Sequence, residues 1–235
     1  MPSRLAFLGL FAVVATALLA GCGTNHTGVS TTTGTGETTT STVPARLSVT
    51  VYRVEGGKVV PQSVQIDSTS AVAAAALRAL ALDAPVTIAG GTATVDLANA
   101  TDAEIAEIVF TLTQFRSIQR VDVAGHTGLT RADEDAYSPA ILIDSPAAGA
   151  TVPRTITVAG TAQVFEATFV LELRRDGKLL ERRTVTASEG APARGTFAGT
   201  LSAPSPGPAT IVAYAPSAAD GSPQHQVEVP VTVTP

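Results

Sequence analysis

Few side chains in this chain could do chemistry, and their placement limits what they could do. The only cysteine, Cys22, follows an uncharged apolar run at 5–20 and precedes a run of threonine, glycine and serine. Its thiol could accept an acyl group, but there is no second cysteine for a disulfide or a zinc pair. His26, His126 and His225 stand roughly a hundred residues apart, which is not the spacing of metal ligands. Glu104, Glu107, Glu166 and Glu172 could pair as the two carboxylates of glycan hydrolysis. Charged residues on helix and strand surfaces are usually solvated, however, and these four read that way. Asp133-Glu134-Asp135 is a carboxylate run whose spacing matches no EF-hand calcium loop, so it reads as solvated linker charge. No Gly-x-Ser-x-Gly elbow, Walker loop or GxGxxG follows a segment that reads as a strand. The expectation is no catalytic residue, no metal and no cofactor.

Composition narrows the function class further. Arg4 is the only charge before Cys22, so removing 1–21 takes the 15 Lys and Arg to 14 against 20 Asp and Glu, a net charge near −6. Such a chain lacks the positive field that nucleic acid or an anionic lipid surface requires. It has no tryptophan, and aromatics make up 4% of the residues, which disfavours an aromatic-lined pocket for nucleobases or sugars. Its alanine, valine and threonine suit small β-rich domains.

The elements that position these residues begin with the apolar run. A membrane-crossing helix needs about 20 apolar residues. The run at 5–20 is shorter and ends in small residues, as a cleavable signal peptide does. Leu19-Ala20-Gly21-Cys22 resembles the lipobox of bacterial lipoproteins. The resemblance implies that 1–21 is a signal peptide, that Cys22 receives a diacylglyceryl thioether, and that the chain is then anchored on the extracytoplasmic face of the cell membrane. Residues 22–44 have almost no apolar side chains to offset the entropy of ordering, and they read as a disordered tether. Asn25 and Asn99 sit in N-glycosylation patterns, which carry little weight in a bacterial lipoprotein.

Residues 45–129 read as a first folded domain. The runs 47–54 and 59–66 flank Gly56-Gly57 as a hairpin, and 71–82 is an alanine-rich helix ending before Pro85. Gly90-Gly91 marks a second hairpin. Thr101-Asp-Ala-Glu104 is a capping box, after which Ile105, Ile108, Val109, Leu112 and Phe115 share one helix face. A strand at 117–123 closes the order β-β-α-β-β-α-β, an α+β layer with two helices on one sheet face. Thr111, Thr113, Gln114 and Glu107 fall on or beside the face expected to be solvated, and Asp96 reads as a turn residue ahead of the second helix.

ATVDL at 93–97, FTLTQF at 110–115 and the strand into Gly125 resemble the GerMN domain of spore germination and sporulation lipoproteins. Val59-Val-Pro61 and the alanine-rich helix fit the same pattern. The resemblance implies a non-enzymatic extracytoplasmic module related in shape to ring-building envelope domains.

Residues 130–138 read as a linker, and 139–235 as a second domain that folds separately from the first. Seven β-like runs with Pro- and Gly-rich turns, Asp176-Gly177 among them, argue for an all-β sandwich of immunoglobulin type. ILIDSP at 141–146, Gly149, ITVAG at 156–160 and GTF at 195–197 resemble the immunoglobulin-like domain of bacterial spore germination proteins. In such proteins this domain often stands beside GerMN and serves binding or spacing. Two functions of different class follow. The first is a lipid-anchored binding or assembly module whose partners are envelope proteins or copies of itself. The alternative is a cell-wall enzyme or its substrate-binding accessory.

Overall fold

The computed structural model describes residues 45–235. Cys22, the lipobox residues Leu19, Ala20 and Gly21, and the tether at 22–44 lie outside the described residues. No helix among the described residues is long and apolar enough to cross a membrane.

The N-terminal lobe opens with β1 (Arg46–Glu55) and β2 (Lys58–Asp67), paired antiparallel along their whole length. Gly56 and Gly57 both take positive φ, the conformation that a two-residue turn between twisted strands requires. Helix α1 (Val72–Ala79) follows, then β3 (Val86–Ala89) and β4 (Thr92–Val95) around Gly90-Gly91. Helix α2 (Asp102–Leu112) starts on the capping box, in which Thr101 accepts from the Glu104 N–H and Glu104 accepts from the Thr101 N–H. Strands β5 (Arg120–Val123) and β6 (His126–Leu129) complete the lobe.

The strands do not form one sheet. β1 and β2 stand as a separate two-stranded ribbon, and the other four form a sheet of order β3-β4-β5-β6. Strand β6, four residues long and interrupted by Gly128, adds a strand to the expected order. One core unites the ribbon with the sheet. Val49, Val51 and Ile66 of the ribbon pack with Leu77 of α1, with Ile105, Ile108, Val109 and Leu112 of α2, and with Val95, Val121 and Val123 of the sheet.

The sandwich comprises β7 (Ile141–Ser145), β8 (Ala150–Val152), β9 (Thr155–Ala162), β10 (Thr168–Arg175), β11 (Lys178–Thr186), β12 (Gly195–Ser202), β13 (Gly207–Pro216) and β14 (Pro223–Val233). They form sheets of order β11-β10-β13-β14-β8 and β12-β9-β7. There are eight strands rather than seven, because β8 is only three residues long and pairs parallel to β14. Phe169, Leu171 and Leu173 of β10 alternate inward to meet Ile156, Val158, Phe197 and Leu201 of the other sheet. Phe169 and Phe197 meet edge to face, with centroids 4.8 Å apart. Gly160 permits the β7–β9 approach, since a Cβ there would lie 1.9 Å from the Leu142 carbonyl oxygen.

Candidate functional site

Glu107 and Thr111 of α2, and Gln114 in the turn just after it, do not face solvent freely. Glu107, Thr111 and Gln114 lie four and three residues apart, so they advance roughly 6 and 4.5 Å along one side of the helix. Beside them runs the edge of β1 that faces away from β2, where outward backbone groups recur about every 6.8 Å. Glu107 Oε1 accepts the Val54 N–H at 2.7 Å, and Thr111 Oγ1 accepts the Tyr52 N–H at 2.9 Å. Gln114 Nε2 donates to the Thr50 carbonyl at 2.5 Å. The short threonine sits in the middle and the long side chains at the ends, which absorbs the mismatch in rise. Side chains of α2 and of the turn that follows it thus take the place of a neighbouring strand. This corrects the expectation of a solvated face: Thr111 is fully buried, and its hydroxyl has the structural task of sealing the ribbon.

The other edge of the ribbon meets the sandwich. Ser63 donates its N–H to the Ala148 carbonyl at 2.7 Å, and the Ala148 N–H donates to the Pro61 carbonyl at 3.0 Å. Pro61 has no N–H to leave unpaired at this edge. Around this bridge Tyr52, Val59 and Phe110 pack on Leu142 of the sandwich.

The segment at 130–138, which joins the two lobes, also contacts both of them, while Asp133 stays exposed. Arg131 donates to Asp144 Oδ1 at 2.8 Å, to the Tyr52 hydroxyl at 3.2 Å, to the Phe110 carbonyl at 3.1 Å and, through Nε, to Thr113 Oγ1 at 2.9 Å. Its guanidinium carbon lies 4.9 Å from the Tyr52 ring centroid and 5.0 Å from that of Phe110. The Tyr52 hydroxyl also donates to Asp144 Oδ1 at 2.5 Å. Burial and the adjacent Asp144 carboxylate push the Tyr52 phenol above its ordinary pKa, so it stays protonated and keeps donating.

The three acids of this segment sit in three different environments. Asp133 accepts from the Thr130 hydroxyl and N–H, which lowers its pKa. Burial, together with Asp102 and Asp133, raises that of Glu134. Asp135 accepts from Arg194 of the sandwich at 2.7 Å. A cleft of about 400 Å³ opens here, lined by Phe110, Arg131, Asp135, Leu142, Gln163 and Arg194. Both arginines are already held by carboxylates across the junction. Both ion pairs join the two lobes across the cleft.

The remaining acid candidates are dispersed. Glu104 is committed to its capping box. Glu166 lies on the turn before β10, at φ 53°. Glu172 is fully buried on the outer side of the five-stranded sheet, between Arg174 at 2.5 Å and Arg182 at 2.7 Å, with the Tyr214 hydroxyl donating at 3.0 Å. Burial alone would raise its carboxyl pKa. Hydrogen bonds from Arg182, Arg174 and Tyr214 outweigh that and hold it below the usual range. His126 opens β6, His225 lies in β14, and no group of three His, Cys, Asp or Glu among the described residues could hold a metal. At Asp96 it is the backbone N–H that acts, donating to the Pro85 carbonyl at 3.0 Å.

No curated protein sequence matches the chain. Among solved structures, an engineered protein from a structural genomics consortium is 22% identical, with a TM-score of 0.31, and the match covers 52% of this chain and 23% of that one. The tandem GerMN domains of the sporulation protein GerM from Bacillus subtilis are 17% identical, with a TM-score of 0.33, over 80% of this chain and 61% of that one. The chain therefore spans less than two thirds of either structure. Residues 140–222, which hold most of the sandwich, match the family of the immunoglobulin-like domain of bacterial spore germination, Gmad2.

Proposed function

We propose that this chain is a non-enzymatic binding or assembly protein of the bacterial cell envelope, of the germination and sporulation type, held to the extracytoplasmic face of the membrane by a lipid on Cys22. The match of residues 140–222 to the germination immunoglobulin-like domain carries this reading. The ATVDL and FTLTQF elements of the N-terminal lobe, which resemble GerMN, support it from the other half of the chain. The fate of the acid candidates agrees: Glu104 caps a helix, Glu107 seals a strand edge and Glu172 neutralises two arginines.

Crosslinking in intact envelope, followed by capture of the chain, should recover defined envelope proteins, while peptidoglycan fragments incubated with it should remain uncut. Turnover of such fragments, abolished by a single carboxylate substitution, would replace this reading with an enzymatic one. Cys22→Ala should abolish lipid labelling. An unacylated mature Cys22 with unchanged membrane retention would remove the anchor.

A further inference from the structure

All sheet edges among the described residues except one are covered, broken or charged, the usual defences against unwanted pairing. Side chains of α2 and of the turn that follows it cover β1, and Ala148 bridges β2. The β5–β6 and β7–β9 ladders both slip register, and β8 has three residues. Strand β11 carries Lys178, Arg182 and Arg183. On β12, the Thr196 N–H donates to Ser188 Oγ and the Ser202 N–H to Glu181.

Strand β3 has none of these defences. Its residues Val86-Thr87-Ile88-Ala89 include no charge, no proline and no bulge, and they pair with β4 in unbroken register. The bond from the Asp96 N–H to the Pro85 carbonyl continues that ladder, so pairs 85/96, 87/94 and 89/92 face each other with their hydrogen-bonding groups. The N–H and C=O groups of Val86 and Ile88 must then point away from β4. None of them has a partner among the described residues. Ile88 is 48% exposed although it shares a face with the buried Ala93 and Val95. Beside this edge runs a groove of about 320 Å³ between β3, the start of α1 and the turn after α2. Val72, Val86, Ile88, Phe115 and Ile118 line it, and no lining side chain is ionisable.

We propose that the β3 edge and this groove form a docking site for an extended, uncharged peptide strand that joins the sheet next to β3. The inference rests on the reading of the chain as a binding module and names the surface that binds. Outward donors and acceptors spaced two residues apart fit an extended main chain, whereas a helix already uses its own backbone groups. A charge entering the groove would be desolvated without a partner, so the side chains that point inward are small and apolar. A second copy could offer its own β3, but two folded lobes joined by a four-residue ladder alone fall far short of the roughly 1,000 Å² that a stable interface between folded surfaces needs. A peptide strand can also lay its side chains into the groove.

The test uses the full chain and a capped, fluorescently labelled heptapeptide of alternating threonine and valine. Hydrogen exchange should slow at least tenfold at the Val86 and Ile88 amides when the peptide is saturating. Ile88→Pro removes an outward donor without touching the ladder to β4, and Ile88→Lys places a charge in the groove. Each should weaken peptide binding at least tenfold while the melting curve keeps its shape, and the lysine variant serves if the proline variant does not fold. Binding unchanged in a folded variant, or protection confined to other strands, would overturn the proposal. Self-association removed by Ile88→Lys, with no peptide bound, would give the edge to a second copy and likewise overturn it. A chain that still captures envelope partners while ignoring the peptide would keep the binding-module reading and remove this surface from it.

Discussion

The sandwich and the β1–β2 ribbon are both β-structure, yet they are stabilised in different ways. In the sandwich two sheets face each other, and Phe169, Leu171, Leu173, Val158 and Leu201 meet within it. The ribbon is a two-stranded hairpin, which on its own is marginal in water. One of its edges is sealed by Glu107 and Thr111 of α2 with Gln114 of the following turn, the other by Ala148 of the sandwich, and its Tyr52 is gripped by Arg131. A strand pair can therefore be held by helix side chains and a neighbouring lobe where no third strand exists. The ribbon is where the stability of one lobe depends on the other.

The largest expected effect lies at the core that joins ribbon and helices. Leu112 is fully buried, and Leu112→Ala should cost roughly 2–5 kcal/mol through the cavity it leaves. Chemical denaturation measures this directly. A cost near zero would mean that α2 does not anchor the lobe.

Next comes the clamp. Arg131→Ala leaves Asp144 and the Tyr52 hydroxyl without their cation, and removing one partner of a buried ion pair costs roughly 3–5 kcal/mol. Both side chains of this pair keep about a quarter of their exposure, 28% and 25%, so the expected loss is nearer about 2 kcal/mol. Limited proteolysis should at the same time open the chain within 130–138, a segment that should resist cleavage in the wild type.

Thr111→Val keeps the shape of the side chain but leaves the buried Tyr52 N–H without an acceptor, at a cost of roughly 1–3 kcal/mol. Hydrogen exchange should quicken at Tyr52 and Val54 and stay unchanged along β10 and β13. Uniform quickening would mean that the threonine supports the whole fold and not one edge.

These residues also mark the limits of what could be read from the sequence. Gly56-Gly57, Gly90-Gly91, Asp176-Gly177 and the capping box are legible because a turn or a helix start is decided by neighbours in sequence. The apolar stripe from Ile105 to Leu112 is legible because its partners lie on one face of the helix. The polar stripe of Glu107, Thr111 and Gln114 has helical spacing too, but its partners are backbone groups more than fifty residues upstream. A threonine inside the apolar run Ile108–Leu112 was the available signal. Arg131 in a charged segment gave none, because its partners Tyr52 and Asp144 come together only when both lobes are folded. Strands β6 and β8 were too short to show alternation.

The smallest effect contrasts the clamp with the sandwich's own ion cluster. The Glu172 carboxyl is held below its usual value of 4.5, so its stabilisation is present above that pH and is lost as pH falls through the lowered folded value. Glu172→Gln should flatten the acid limb of stability below about pH 4.5. Melting temperature against pH reads this effect, and an unchanged acid limb would mean that other carboxylates govern acid unfolding.

Differential scanning calorimetry of the full chain tests most directly the claim that the junction makes one unit of two lobes. The wild type should unfold in a single transition with equal calorimetric and van't Hoff enthalpies, and Arg131→Ala should separate it into two. Two transitions already present in the wild type, with neither shifted by Arg131→Ala, would contradict it.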